Sequence, residues 1–251
     1  MRVVKHCRIV ASLWPALLVT AAHADFIYVA GTQTSTGSVQ AILAPNENFS
    51  DAYNLAAPDP LASWSPPSQN ISAAVSNGAN AGVQSSYLST VEPGHIFFHE
   101  TAAAHAINPT IFTGGASFTY DQTFSLSFHI DVPTEVAYSA RLQRQHPSGW
   151  PSGTPGTIEF GPDGGPMLVS LAYNGFAIPD YVVSQPLTYT TLQPGDYHIT
   201  ILSHNTWGAG RGASFAENFT FELQIVPAPA SLAGMGLLTL VFGGRKRAAS
   251  S

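Results

Sequence analysis

Cysteine is almost missing from this chain: Cys7 is the only one among 251 residues. It lies in a leader that reads as removable, so residues 25–225 are left without a disulfide, a thiolate zinc site or a cysteine nucleophile. Lysine is absent from that stretch too, and positive charge is scarce. Between Asp25 and Pro229 three arginines, Arg141, Arg144 and Arg211, face fifteen carboxylates, a net charge of −12. So acidic a surface repels nucleic acid and anionic membranes and leaves cations and neutral glycans as compatible partners. Also lacking are an amphipathic helical pattern, a Gly-x-Ser-x-Gly nucleophile elbow, an Asp-x-Asp-x-Asp-Gly calcium loop and internal repeats. No cofactor is expected.

The two ends of the chain carry the strongest signals. Arg2, Lys5 and Arg8 precede a mostly apolar run from Ile9 to Thr20, and Ala22-His23-Ala24 puts small residues at the two positions that a signal peptidase reads. The pattern predicts an export signal over 1–24, cut after Ala24. A run of about twelve apolar residues broken by Pro15 is too short to cross roughly 30 Å of hydrocarbon as a permanent anchor.

At the other end, residues 226–251 open with Val226-Pro227-Ala228-Pro229 and continue as an apolar run from Ala230 to Phe242, with Leu237 to Phe242 the densest part. They close on Arg245-Lys246-Arg247. The apolar run has no polar face, and the cations after it match the positive-inside rule for a cytoplasmic stop, which leaves the preceding domain outside. As a helix the 19 residues from Val226 to Gly244 extend about 28 Å, just enough to span a bilayer. This order of motif, Gly/Leu-rich helix and basic terminus resembles the PEP-CTERM sorting signal of Gram-negative bacteria. The resemblance is confined to these 26 residues. It implies processing by exosortase, a membrane-embedded cysteine peptidase or transpeptidase, and an address in the cell envelope, at the cell surface or in the exopolysaccharide matrix. Ala228 stands where that family usually has glutamate. The alternative is an ordinary C-terminal membrane anchor that is never cut.

The domain over 25–225 reads as all-β. Phe118, Tyr120, Phe124, Leu126, Phe128, Ile130 and Val132 alternate with polar residues, broken only by Gln122, which predicts one long strand or two meeting at a bend. Phe215, Phe219, Phe221, Leu223 and Ile225 repeat the pattern, as do Tyr197, Ile199 and Ile201. Pro93-Gly94, Pro155-Gly156 and Pro194-Gly195 read as type II turns between strands. Residues 44–82 read as a long loop holding a short strand near Ile71 to Val75, and 145–155 as a second loop. The expected fold is an antiparallel β-sandwich of jelly-roll kind.

Several residue groups could carry chemistry. His95, His99, Glu100 and His105 are the densest set of metal-ligand types, but they lack the His-Glu-x-x-His order, and ordinary polar-face histidines are the expected reading over a metal site. His129, His198 and His204 fall on solvent-facing phases, where a Ser-His-Asp hydrolase site would have to assemble without a motif. Trp150 and Trp207, with Trp64, sit near loops beside Asn70, Gln145, His146, His204 and Asn205. Such tryptophans either stack on sugar rings or cap the core. Thr32, Thr34 and Thr36 form one short ladder of a surface strand, and Asn48, Asn70 and Asn218 fit the glycosylation sequon.

The expected role is therefore that of an exported, non-enzymatic surface or extracellular-matrix protein. Its partners are signal peptidase, an exosortase-like membrane peptidase and exopolysaccharide. A secreted carbohydrate-binding module and a secreted hydrolase are the rivals.

Overall fold

Twelve strands and no helix make up the described residues, which are 25–43, 47–108, 114–148, 156–173, 180–208 and 212–227 of a computed structural model. One six-stranded sheet contains β1 (Ile27–Leu43), β2 (Glu47–Ala56), β6 (Gly114–Ile130), β8 (Thr157–Pro162), β9 (Val169–Ala172) and β11 (Gly195–Trp207), in the order β2-β1-β6-β11-β8-β9. The other six-stranded sheet contains β3 (Gln69–Ala74), β4 (Asn80–Glu92), β5 (His95–Ile107), β7 (Thr134–Ser148), β10 (Asp180–Leu192) and β12 (Ala213–Ile225), in the order β10-β7-β12-β5-β4-β3. All pairings are antiparallel. The chain passes from one sheet to the other seven times along its length.

The period-two residues of β6 all point inward. Phe124, Leu126 and Phe128 are fully buried, and β6 is one unbroken strand at the centre of its sheet. They meet Phe219, Phe221 and Leu223 of β12 in the larger of two apolar clusters. The smaller cluster, built from Val39, Phe118, Phe215 and many alanines, fills the opposite end. Each buried phenylalanine contributes on the order of 2 kcal/mol, and this alternation is what makes a two-layer sandwich the stable arrangement.

The 44–82 stretch holds more structure than a loop. β3 falls where a short strand is expected, but β2 takes up residues 47–56 as well. As an edge strand β2 is exposed on both faces apart from Glu47, Tyr53 and Leu55, so it has no apolar alternation to betray it. In 145–155, β7 runs on to Ser148, and the rest lies outside the described residues. Of the Pro-Gly pairs, Gly94 adopts the positive φ of a type II turn, +79°, between β4 and β5.

Gly156 serves packing instead. A Cβ there would sit 2.4 Å from Cζ of the fully buried Phe219. Gly156→Ala is expected to lower stability by roughly 1–3 kcal/mol through overpacking. Gly208→Ala, with open space around the new methyl, is the neutral control, and denaturant midpoints for both variants check this.

Candidate binding face

The histidine set near residue 100 is divided by the strand it sits on. His95 and His99 lie on the outer face of β5, while Glu100 turns inward and is fully buried. Four residues of strand separate the two imidazoles by about 13 Å, too far to share an ion. His95 instead lies 3.3 Å from Glu222, and His99 is 3.3 Å from the Thr220 hydroxyl with its ring stacked near Phe97. Among the described residues no group of three or more His, Cys, Asp or Glu side chains could hold a metal ion.

His129, His198 and His204 do face solvent, on the outer side of the first sheet, and each is taken up by an aspartate. His129 Nδ1 is 2.6 Å from Asp196, His198 Nδ1 is 2.6 Å from Asp163, and His204 pairs with Asp121. The hydrogen bond to Asp196 raises the His129 pKa above its ordinary value. The threonine ladder is on the same sheet, with Thr34 opposite Thr123 and Thr36 opposite Asp121.

The tryptophans are not brought together. Trp64 packs on the larger core cluster against Tyr87, ring centroids 4.8 Å apart, and Trp207 packs on the smaller one. Trp150, and the His146 side chain, lie outside the described residues. Asn205 is fully buried, whereas Asn70 and Gln145 are exposed on the second sheet.

A buried polar belt crosses the sandwich; the sequence marks Glu100 only as a metal-ligand type and Asn205 only as a neighbour of tryptophan, and it gives Arg144 and Glu217 no role at their inward phases. Glu100 of β5, Glu217 of β12 and Arg144 of β7 lie between the sheets at 0%, 4% and 3% exposure. Tyr120 donates to Glu100. Ser203 donates to Glu217 Oε1 at 2.5 Å and Asn205 to Oε2 at 3.2 Å, with the Arg144 guanidinium 3.7 Å away. Arg144 also lies over the rings of Tyr173, at 4.9 Å, and Phe215, at 5.6 Å. Burial first, and the neighbouring Glu217 next, push the Glu100 carboxyl well above the usual carboxylate range. Burial raises Glu217 too, against the opposing pull of Arg144, Ser203 and Asn205. With one proton held between the two acids, the belt is electrically neutral, as a dry interior requires. Enclosed this way, the acid pair cannot touch a substrate. It acts on the fold.

The outer face of the second sheet is different. The register aligns Gln143, Asn218, Thr101 and Ser86 across β7, β12, β5 and β4. The next line across is Gln145, Ala216, Ala103, Gln84 and Asn70, the last on β3. Where the alanines sit the surface sinks, into a depression of about 460 Å³ that adjoins another of about 390 Å³ reaching His105 and Ser72. Gly82 lets the His105 ring lie close on the sheet, since a Cβ there would come 2.6 Å from its Cε1. Glu217 lines this region only from beneath, because its side chain is buried in the core.

At one end of the sandwich the chain leaves the sheets. Ile27 pairs with His129 near the end of β6, and Ile225 pairs with Val136 near the start of β7, the strand that follows β6. Both termini of the domain therefore emerge together. Val226 is held by its N–H to the Glu135 carbonyl at 2.8 Å, and Pro227 is exposed. Ala22 and Ala24 of the signal, Ala228 and Pro229 of the motif, and Arg245, Lys246 and Arg247 lie outside the described residues.

No known family matches the chain, and no curated protein does. Among solved structures, the arabinose-bound MgGH51 α-L-arabinofuranosidase is similar at 15% identity over 50% of this chain and 22% of its own, with a TM-score of 0.22. A structure on the promiscuous specificity of carbohydrate-binding modules from the β-sandwich superfamily is similar at 12% identity over 80% of this chain and 96% of its own, with a TM-score of 0.16. Likeness at this level assigns no activity.

Proposed function

We propose that this is an exported, non-enzymatic protein of the cell surface or extracellular matrix. In this reading it is released from its signal by signal peptidase and sorted through its C-terminal segment by an exosortase-like peptidase into exopolysaccharide. The observation that carries the reading is the order Val226-Pro227-Ala228-Pro229, apolar run, Arg245-Lys246-Arg247 behind an N-terminal export pattern. The exit of the chain supports it: Pro227, the second residue of the motif, is exposed just past the last strand. The repeated passage between sheets supports the finer description of the sandwich as jelly-roll-like. Mass spectrometry of the protein isolated from its native host tests the proposal. A C-terminus near Pro229 is expected, and an intact Ser251 in the mature protein would replace sorting with a plain anchor.

A second reading, that the sandwich binds carbohydrate, is favoured by one observation. The second sheet presents a sunken, amide-lined outer face on a domain that is otherwise strongly acidic.

A further inference from the structure

We infer that the trough on the outer face of the second sheet is a binding site for a neutral, extended polysaccharide lying across the strands. This rests on the carbohydrate-binding reading and names its site and ligand class. The floor is set by Ala103 and Ala216, Gln145 and Gln84 stand on the same line at either side of them, and the flanking rows carry Thr101 and Asn218 on one rim and His105 on the other. Rows two residues apart along a strand are spaced about 7 Å, so the two rims stand roughly 13 Å apart across the alanine line. That width admits a sugar ring with its equatorial hydroxyls. From Gln145 on β7 to Asn70 on β3 the line crosses five strands, about 19 Å at the spacing of paired strands, which accommodates several rings end to end.

The chemistry of the rims selects the class of ligand. Each glutamine or asparagine amide has both a donor and an acceptor, which matches the dual character of a sugar hydroxyl, while the Ser86 and Thr101 hydroxyls, bonded to each other at 2.7 Å, leave one O–H between them to donate. Among the described residues no carboxylate or lysine side chain opens into the trough, although the domain carries fifteen acids, and the one guanidinium beside it, that of Arg141, donates to Gln143 at the rim. A polyuronate would meet acidic surroundings relieved only by Arg141 at one rim, already engaged with Gln143, and a polycation would find no carboxylate in the groove itself. Neutral chains lose nothing on either count. The His105 ring, lying against Gly82, supplies a flat surface at one rim.

Affinity electrophoresis of the full chain through gels containing dextran, mannan or galactan, with alginate as the acidic control, tests the site. At least one neutral polymer is expected to retard the protein and alginate is not. Gln84→Ala combined with Gln145→Ala should weaken retardation about tenfold, the loss of two modest hydrogen bonds. Ala103→Met, which fills the floor, should weaken it independently, and Trp207→Ala should leave it unchanged. Retardation that disappears with Trp207→Ala and survives the glutamine changes would overturn the trough while leaving carbohydrate binding in place. Absence of retardation by every neutral polymer would overturn both.

Discussion

Replacing Arg144 with alanine is expected to cost about 3–5 kcal/mol of folding stability at neutral pH, enough to unfold much of a marginally stable domain. The guanidinium is 3% exposed and is the only positive charge among the described residues within reach of Glu217 and Glu100. Without it, Glu217 is a buried carboxylate with no counter-charge, held by hydrogen bonds from Ser203, Asn205 and Glu100. Packing over Tyr173 and Phe215 is lost as well. The same logic predicts partial recovery when the carboxylate is removed too. Arg144→Met combined with Glu217→Leu should be more stable than Arg144→Ala alone, because an apolar pair of similar volume needs no compensation. Guanidinium midpoints of the three proteins decide the matter. A loss under about 1 kcal/mol for Arg144→Ala would mean that water reaches the pair and that the belt is no drier than a surface ion pair.

The strands easiest to read in the sequence were those with one wet and one dry face. β6 and β12 show alternation because each inward residue is apolar over most of its length, and both proved central to their sheets. β2 was illegible because an edge strand exposed on both sides needs no alternation. The polar belt left a trace that went unread. Gln122 interrupts the apolar phase of β6, Glu217 interrupts that of β12, and Glu100 shares the phase of Ile96 and Phe98. A polar residue at an inward phase has to find a partner across the core, so three such interruptions on different strands point to one another. What no local pattern carries is the register between strands. Ala103 and Ala216 are far apart in the chain and meet only because β5 and β12 pair with that alignment, and the same holds for Gln84 and Gln145. The trough was therefore invisible, while tryptophans, conspicuous as single letters, drew attention to positions that turn out to pack on the core clusters.

Stability should fall as pH rises from acid toward alkaline, with Glu100 as the principal cause. In the unfolded chain its carboxyl titrates near the ordinary value of about 4.3. In the folded protein, burial and the adjacent Glu217 carboxylate hold it well above that. The native state thus binds a proton that the unfolded state has released, so the slope of unfolding free energy against pH is negative. The contribution is fully present below the unfolded pKa and is lost through the folded one, at roughly 1.4 kcal/mol per pH unit for each proton involved. His129, whose pKa is also raised by its bond to Asp196, contributes in the same direction at an exposed site, so the slope of the wild-type curve alone does not identify its source. Glu100→Gln does. The amide keeps an acceptor for the Tyr120 hydroxyl and a donor toward Glu217 but has nothing to titrate. Urea unfolding between pH 5 and pH 9 is expected to show a flatter profile for the variant, with the two proteins closest at pH 5 and the variant ahead at pH 9. Parallel curves would place the titration elsewhere and leave Glu100 ionised inside the sandwich, which the enclosure of the belt makes untenable without a second cation beside Arg144.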